Sequence, residues 1–251
     1  MSQPELDPAT RSTLRELNLR VATYEADQSV TDAIASSRKK VTPVIGGVAV
    51  GKTSITSLVT ELDPTIRPIN TTTSRSRKPS DPAGFRTASE GVTLEHLVND
   101  IVDGEVVNYT VIEGTGTIYA TYLDGFPGEY SIGPIVSDNI PVLQRSRFDQ
   151  CRPTSIITPA DAWAGFIQES LGERSDAIIN RIPETIASLT YAKKHLDSLY
   201  FVENSNQPGG REKAAAALIN ITKGDGSLAT PKDRAEEVLT EMLHYAQSLA
   251  R

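Results

Sequence analysis

The apolar pattern between residues 41 and 62 predicts a buried strand followed by an amphipathic helix. The run Val41–Ile45 is apolar and rich in β-branched residues, which is typical of a strand covered on both faces. Across 53–62, apolar side chains then recur at the spacing of one helix face, at Ile55, Leu58, Val59 and Leu62. A glycine-rich segment, 45–54, joins the two elements.

Strands and helices alternate along most of the remaining chain. Short apolar runs predict strands at 106–112, 118–121, 130–136, 154–158 and 199–202. Helical spacing predicts helices at 92–104, from about 161, at 176–197 with a kink or restart at Pro183, at 211–221 and at 231–250. Residues 1–40 are predicted to be partly helical and 63–91 to be rich in loops. This alternation predicts a three-layer α/β sandwich built on a parallel sheet.

The glycine-rich segment fits the phosphate-loop pattern G-x-x-x-x-G-K-S/T without a gap. Its backbone N–H groups are expected to bind the phosphates of ATP, because glycines let them converge on oxygens at a helix N-terminus. Lys52 can reach the β- and γ-phosphates, and the Thr53 hydroxyl can bind Mg²⁺. The residues predicted to bind ATP here are Gly46, Gly47, Val48, Ala49, Val50, Gly51, Lys52, Thr53 and Ser54.

The overall composition is that of an ordinary globular protein with an acidic balance. The net charge of −7 argues against nucleic-acid binding by phosphate neutralisation. No apolar run reaches the roughly 18 residues of a membrane-spanning helix, so no membrane association is expected. The polar N-terminus lacks the pattern of a signal peptide, and the single Cys151 cannot form an internal disulfide. We therefore expect a cytoplasmic location.

A basic segment, Thr72–Lys78, lies about twenty residues after the phosphate loop. With the loop, it gives residues of about 41–222 a resemblance to guanylate kinases, P-loop enzymes that transfer a phosphoryl group from ATP to GMP. That family has Gly-Pro-Ser-Gly-Val-Gly-Lys in the loop and Ser-Thr-Thr-Arg-x-Pro-Arg in the basic segment. The resemblance implies that Thr72, Arg75 and Lys78 bind the acceptor phosphate, with Arg77 as an additional cation. Arginine suits this role because its planar fork donates two parallel hydrogen bonds to a phosphate.

The rest of the family's acceptor pattern is partly retained. The resemblance implies that Tyr119 and Thr121 contact the acceptor nucleotide. Asn108 stands where the family has a Glu that accepts hydrogen bonds from guanine. Because Asn offers both a donor and an acceptor, this position is compatible with guanine in another geometry or with a different base. The tyrosine of the family's Gly-x-Asp-Tyr-x-Phe is replaced by Thr87, with Arg86 as an alternative cation.

The end of the predicted central strand departs from the family. Its Asp-x-Asp corresponds to Pro134 and Val136, and a proline removes a hydrogen bond from a central strand. Asp138 lies just beyond this strand. Either it takes the place of the family's first aspartate from a shifted position, or this chain has lost the role of that aspartate.

Two arginines match the family's lid, which closes over the transferring phosphoryl group. They are Arg174 and Arg181, and the resemblance implies that they act with Lys52 as the catalytic residues by stabilising transition-state charge. Asn204 lies in a segment matching the family region that contacts adenine, and is therefore assigned to ATP binding.

The resemblance implies a P-loop kinase fold with a parallel central sheet, a small mixed β acceptor-binding subdomain and a helical lid. The expected organisation is an N-terminal extension at 1–40, a guanylate-kinase-like domain at 41–222 with an acceptor insert at about 70–125 and a lid at about 165–185, and a C-terminal helical extension at 223–251. The implied function is transfer of the γ-phosphoryl of ATP to GMP with Mg²⁺, by a monomer or homodimer. Two alternatives remain open: a kinase for another purine or modified nucleoside monophosphate, and a non-catalytic module that binds a nucleotide or a protein.

Overall fold

The structure, a computed structural model, describes residues 7–78, 84–171, 181–205 and 207–250. Its strands are β1 (Lys40–Ile45), β2 (Ile66–Pro68), β3 (Thr72–Thr73), β4 (Asn108–Ile112), β5 (Thr117–Thr121), β6 (Tyr130–Pro134), β7 (Gln150–Cys151), β8 (Thr154–Ile157) and β9 (Tyr200–Glu203). Its helices are α1 (Pro8–Arg20), α2 (Gln28–Ser37), α3 (Lys52–Leu62), α4 (Leu94–Val102), α5 (Ile140–Arg145), α6 (Ala160–Leu171), α7 (Ile182–Lys194), α8 (Gly210–Lys223) and α9 (Lys232–Leu249).

The contacts divide the chain into two compact units. One comprises 40–68, 130–137 and 151–251, and we call it the phosphate-loop unit. The other comprises 1–39, 69–129 and 138–150, and we call it the basic-segment unit.

A mostly parallel sheet organises the phosphate-loop unit. Its strand order is β2-β6-β1-β8-β9, and β1 pairs in parallel with β6 and β8 at the centre. All four residues of β8 are buried, and so are five of the six in β1, as expected for strands covered on both faces. On one side α3 and α8 pack together and reach β6 and β1, while α9 packs on α6 and α7 and reaches β8 and β9. The predicted helix–sheet–helix layering is therefore present.

The basic-segment unit is built around a small antiparallel sheet of order β3-β5-β4, to which Arg86 adds a single parallel bridge at Thr72. One face of this sheet joins α1 and α4 in a hydrophobic core containing Leu14, Leu17, Val21, Leu97, Ile101, Val106, Tyr109, Val111, Ile118 and Ala120. The Tyr109 hydroxyl donates to the Leu17 carbonyl at 2.8 Å, which anchors α1 to the strand. The N-terminal helix therefore belongs to this core.

The mixed α/β architecture predicted from the sequence is confirmed. The predictions missed short elements such as β2, β3 and α5, because two to six residues carry too little periodicity to be recognised. Pro134 occupies the last position of β6, opposite Val44. The pairing of β6 with β2 ends earlier, at Ile132, so the missing N–H of Pro134 removes no bond on that side.

Candidate functional site

The phosphate loop connects the end of β1 to the first turn of α3, as its pattern predicts. Gly46 and Gly51 have φ values of +143° and +90°, a region that side chains disfavour. A Cβ atom on Gly46 would lie 2.6 Å from the Ile156 carbonyl oxygen. Ala49 also has positive φ, +59°, which is uncommon for a residue with a Cβ atom. The loop therefore holds a strained, fixed backbone at the start of the helix.

Lys52 folds back onto the loop that precedes it. Its Nζ donates to the carbonyl oxygens of Gly46 at 2.7 Å and Gly47 at 2.6 Å. The pKa of Lys52 is lowered to about 8, mainly by burial and also by the positive charge of Arg181, while Glu184 acts in the opposite direction. Burial therefore makes the charged form of the amine less stable, and a bound anionic ligand would stabilise that charged form.

Two side chains from distant segments fix other carbonyl groups of the loop. Trp163 Nε1 donates to the carbonyl of Val48 at 2.7 Å, and Asn204 Nδ2 donates to that of Val50 at 2.9 Å. Both side chains are buried. Asn204 is therefore brought to the predicted ATP-binding loop, where its amide group contacts the loop backbone.

The loop N–H groups are only partly used by the protein. Thr185 Oγ1 accepts from the N–H of Val48 at 3.0 Å, and Ser188 Oγ accepts from that of Gly46 at 3.2 Å. Within the described ranges, the N–H groups of Ala49, Gly51, Lys52 and Thr53 donate to no protein acceptor. Four donors at a helix N-terminus, next to a lysine, form an arrangement that is suited to bind an anion.

A cavity of about 300 Å³ adjoins this loop. Its walls combine the loop with α6 and the segment that leads into α8. The lining residues are Ala49, Gly51, Ser54, Phe166, Glu169, Asn204, Ser205, Gln207, Gly209, Gly210, Arg211 and Glu212. The aromatic ring of Phe166 and several polar groups make this cavity suitable for a planar heterocycle.

The residues around the loop fit Mg²⁺ as an ion that arrives with a nucleotide. Thr53 is exposed in the first turn of α3, where its hydroxyl can reach an ion on the phosphates. In the described part of the chain, no three His, Cys, Asp or Glu side chains cluster to hold a metal. One protein oxygen completed by phosphates and water is a common arrangement for Mg²⁺.

In the basic-segment unit, the face of the antiparallel sheet opposite the hydrophobic core is polar. Side chains alternate along β4 and β5, so Asn108 and Thr110 share this face with their cross-strand partners Thr121 and Tyr119. Asn108 and Thr121 are buried, at 3% and 2% exposure. The sheet therefore brings together the three residues that the sequence assigned to the acceptor pocket.

Arg75 is held against this polar face by an aromatic contact and a hydrogen bond. Its Nε donates to the Tyr119 hydroxyl at 2.9 Å. Its guanidinium carbon lies 5.6 Å from the Tyr119 ring centroid and 6.0 Å from that of Phe85. Arg75, predicted to bind the acceptor phosphate, and Tyr119, predicted to contact the acceptor nucleotide, are thus neighbours, and Phe85 was not anticipated.

The other residues of the basic segment are engaged with the protein. Arg77 forms an ion pair with Glu90 at 3.1 Å and also donates to the carbonyl of Phe85. The Thr72 hydroxyl accepts from Arg86 Nε at 3.1 Å. Arg77 therefore orders the turn around 85–90 in this structure. Lys78, at the end of the described segment, is exposed.

Two buried amide oxygens on the polar face have no hydrogen-bond donor within the described residues. They belong to Asn108 and Asn139. Asn139 Nδ2 donates to Thr110 Oγ1 at 2.8 Å, and Thr110 shares its face of β4 with Asn108. The exposed Asp138 precedes Asn139 in a short turn after β6. Asn139 was missed because no spacing in the sequence relates it to β4.

Two arginines, Arg174 and Arg181, were predicted to belong to the lid. Arg174 lies outside the described residues. Arg181 precedes α7, and its Nε lies 3.6 Å from the Glu184 carboxylate.

None of the helices in the described ranges is long and apolar enough to cross a membrane.

No protein-family model matches the sequence, and no curated protein matches it. Among solved structures, the chain is similar to a guanylate kinase from Anaplasma phagocytophilum. The two share 14% sequence identity with a TM-score of 0.48, over 74% of this chain and 85% of that chain. A similarity of this size does not assign a family.

Proposed function

We propose that this protein is a nucleoside monophosphate kinase that transfers the γ-phosphoryl group of ATP to GMP. The observation that carries the proposal is the phosphate loop, whose N–H groups at Ala49, Gly51, Lys52 and Thr53 have no acceptor among the described residues. In this loop the carbonyl groups accept hydrogen bonds from the protein, whereas these N–H groups are left to donate to a ligand. Such a loop is suited to bind a polyphosphate.

The donor nucleotide would bind entirely within the phosphate-loop unit. Its triphosphate would lie on the loop, with Lys52 Nζ moving from the carbonyls of Gly46 and Gly47 to the β- and γ-phosphates. Its adenine would occupy the adjoining cavity, against Phe166. Thr53 would hold Mg²⁺, which when bound neutralises phosphate charge and orients the γ-phosphoryl group.

The acceptor would bind to the polar face of the basic-segment unit. Arg75, oriented by Tyr119, presents a guanidinium to which a phosphate can bind through two hydrogen bonds. Arg77 and Lys78 complete the phosphate-binding group in this proposal. Thr72, the third residue predicted there, pairs with Ala120 and so lies on the core face of the sheet, away from the polar face. Asn108 and Thr121 would read the base. The Asn108 Oδ1, which has no donor among the described residues, suits the N–H groups of guanine. Asp138 is assigned to the same pocket.

The chemistry requires positioning and charge stabilisation from the protein. An oxygen of the acceptor phosphate attacks the γ-phosphorus, the bond to the β–γ bridging oxygen breaks, and ADP leaves. Lys52 and Arg181 stabilise the charge that spreads over the transferring group, and Arg174 is assigned the same role.

The proposal is tested by incubating the protein with ATP, Mg²⁺ and each of GMP, IMP, AMP, CMP and UMP, and measuring ADP formation. We expect turnover with GMP that Lys52→Met lowers by at least about a hundredfold, the scale for losing one charge-stabilising group. Lys213→Met, at an exposed position of α8, serves as the matched control and should retain activity.

Other outcomes separate the alternatives. Turnover with another monophosphate would keep the kinase activity and change the base. ATP binding without turnover of any acceptor would refute the kinase and favour a non-catalytic nucleotide-binding module.

A further inference from the structure

We propose that Thr185 and Ser188 of α7 are positioning residues that hold the phosphate loop in its triphosphate-binding shape. This inference rests on the proposed nucleotide binding and assigns a task to a helix that carries no recognisable motif.

The two hydroxyl groups accept hydrogen bonds from the loop backbone. Thr185 Oγ1 lies 3.0 Å from the Val48 nitrogen, and Ser188 Oγ lies 3.2 Å from the Gly46 nitrogen. Thr185 is 2% exposed and Ser188 7%. The bond from Val48 is buried, so loss of the Thr185 hydroxyl leaves a buried N–H without a partner. The bond from Gly46 to Ser188 is part-buried, so its loss should cost less.

The fit between the helix and the loop is tight. Residues three apart share one face of a helix, so Thr185 and Ser188 reach the loop together. A Cβ atom on Gly47 would lie 3.0 Å from Thr185 Cγ2 and 3.2 Å from the Trp163 ring. Trp163 also binds the Val48 carbonyl, so α6 and α7 hold this residue at both its N–H and its C=O.

These bonds divide the loop donors into two sets. The N–H groups of Gly46 and Val48 are committed to α7, and those from Ala49 onward remain for a ligand. A loop released from α7 could rotate its peptides, and the remaining donors would no longer converge. Arg181 lies at the N-terminal end of the same helix, so the packing of α7 also sets the position of Arg181 relative to the loop.

The test compares Thr185→Val, which removes the acceptor at nearly constant volume, with Thr185→Ser, which restores it. Isothermal titration calorimetry measures ATP affinity, and urea unfolding measures stability. We expect Thr185→Val to weaken ATP binding about tenfold and Ser188→Ala to weaken it several-fold, with Thr185→Ser within about threefold of the wild type, the scale of one buried hydrogen bond. Thr222→Val is the control and should leave affinity unchanged, because Thr222 is a buried threonine of α8 whose hydroxyl has no hydrogen-bond partner among the described residues.

A role in stability alone would lower the free energy of unfolding in Thr185→Val without changing ATP affinity, and this result would overturn the inference. An affinity loss that Thr185→Ser fails to restore would overturn it as well. ATP affinity is measured without an acceptor. A protein that binds ATP but phosphorylates no monophosphate would therefore refute the kinase and still decide the role of Thr185.

Discussion

Replacing Lys52 with methionine should remove a specific dependence of stability on pH. The amine is buried against the carbonyls of Gly46 and Gly47, and its pKa falls from 10.5 to about 8. At about 1.4 kcal/mol per pKa unit, keeping this amine charged in the folded state costs about 3 kcal/mol near neutral pH. Methionine has a similar length and no charge.

The direction of the pH dependence follows from the number of protons that the folded and unfolded states bind. Below about pH 8 the folded and unfolded states both hold the proton, so the full cost is present. Between about 8 and 10.5 the unfolded chain keeps a proton that the folded protein has released, so the free energy of unfolding rises with pH. Integration gives a rise of about 2 kcal/mol between about pH 7 and pH 9.5 for the wild type relative to Lys52→Met.

The assay is urea unfolding at a series of pH values, followed by tryptophan fluorescence. Trp163 is the single tryptophan, is fully buried and contacts the loop, so its signal reports on the phosphate-loop unit. Lys213→Met controls for the loss of a lysine at an exposed position. Parallel pH profiles for the wild type and Lys52→Met would refute the depressed pKa.

Two further predictions concern the loop and the polar face. Ala49→Gly should stabilise the protein by about 0.5–1 kcal/mol, because glycine relieves the strain of φ +59° at the expense of unfolded-state entropy; destabilisation in urea unfolding would contradict this reasoning. Asn108→Glu should raise the ratio of kcat/KM for GMP over AMP by about tenfold, because a carboxylate accepts from both N–H groups of the guanine edge; an unchanged ratio would place base reading elsewhere.

The local sequence pattern was sufficient to predict those elements whose characteristic residues are close together in the chain. The β-branched run at Val41–Ile45 and the glycine spacing that follows predicted a strand, a loop and a helix N-terminus, and all three are present. The family resemblance, and not strand pairing, assigned Asn108, Tyr119 and Thr121 to one acceptor pocket, and that role stays a prediction. Pairing and burial explain why they share one face.

The sequence by itself predicted the strand, the glycine-rich loop and the helix N-terminus that follows, because this pattern depends on residues at adjacent positions. Tertiary structure alone decided what holds the loop. Thr185 and Ser188 lie 137 and 142 residues from their loop partners, and Trp163 lies 115 residues away. No periodicity connects such distant positions, since the contacts arise when α6 and α7 pack beside the loop. The same holds for Asn139, which meets Thr110 only after the chain has folded.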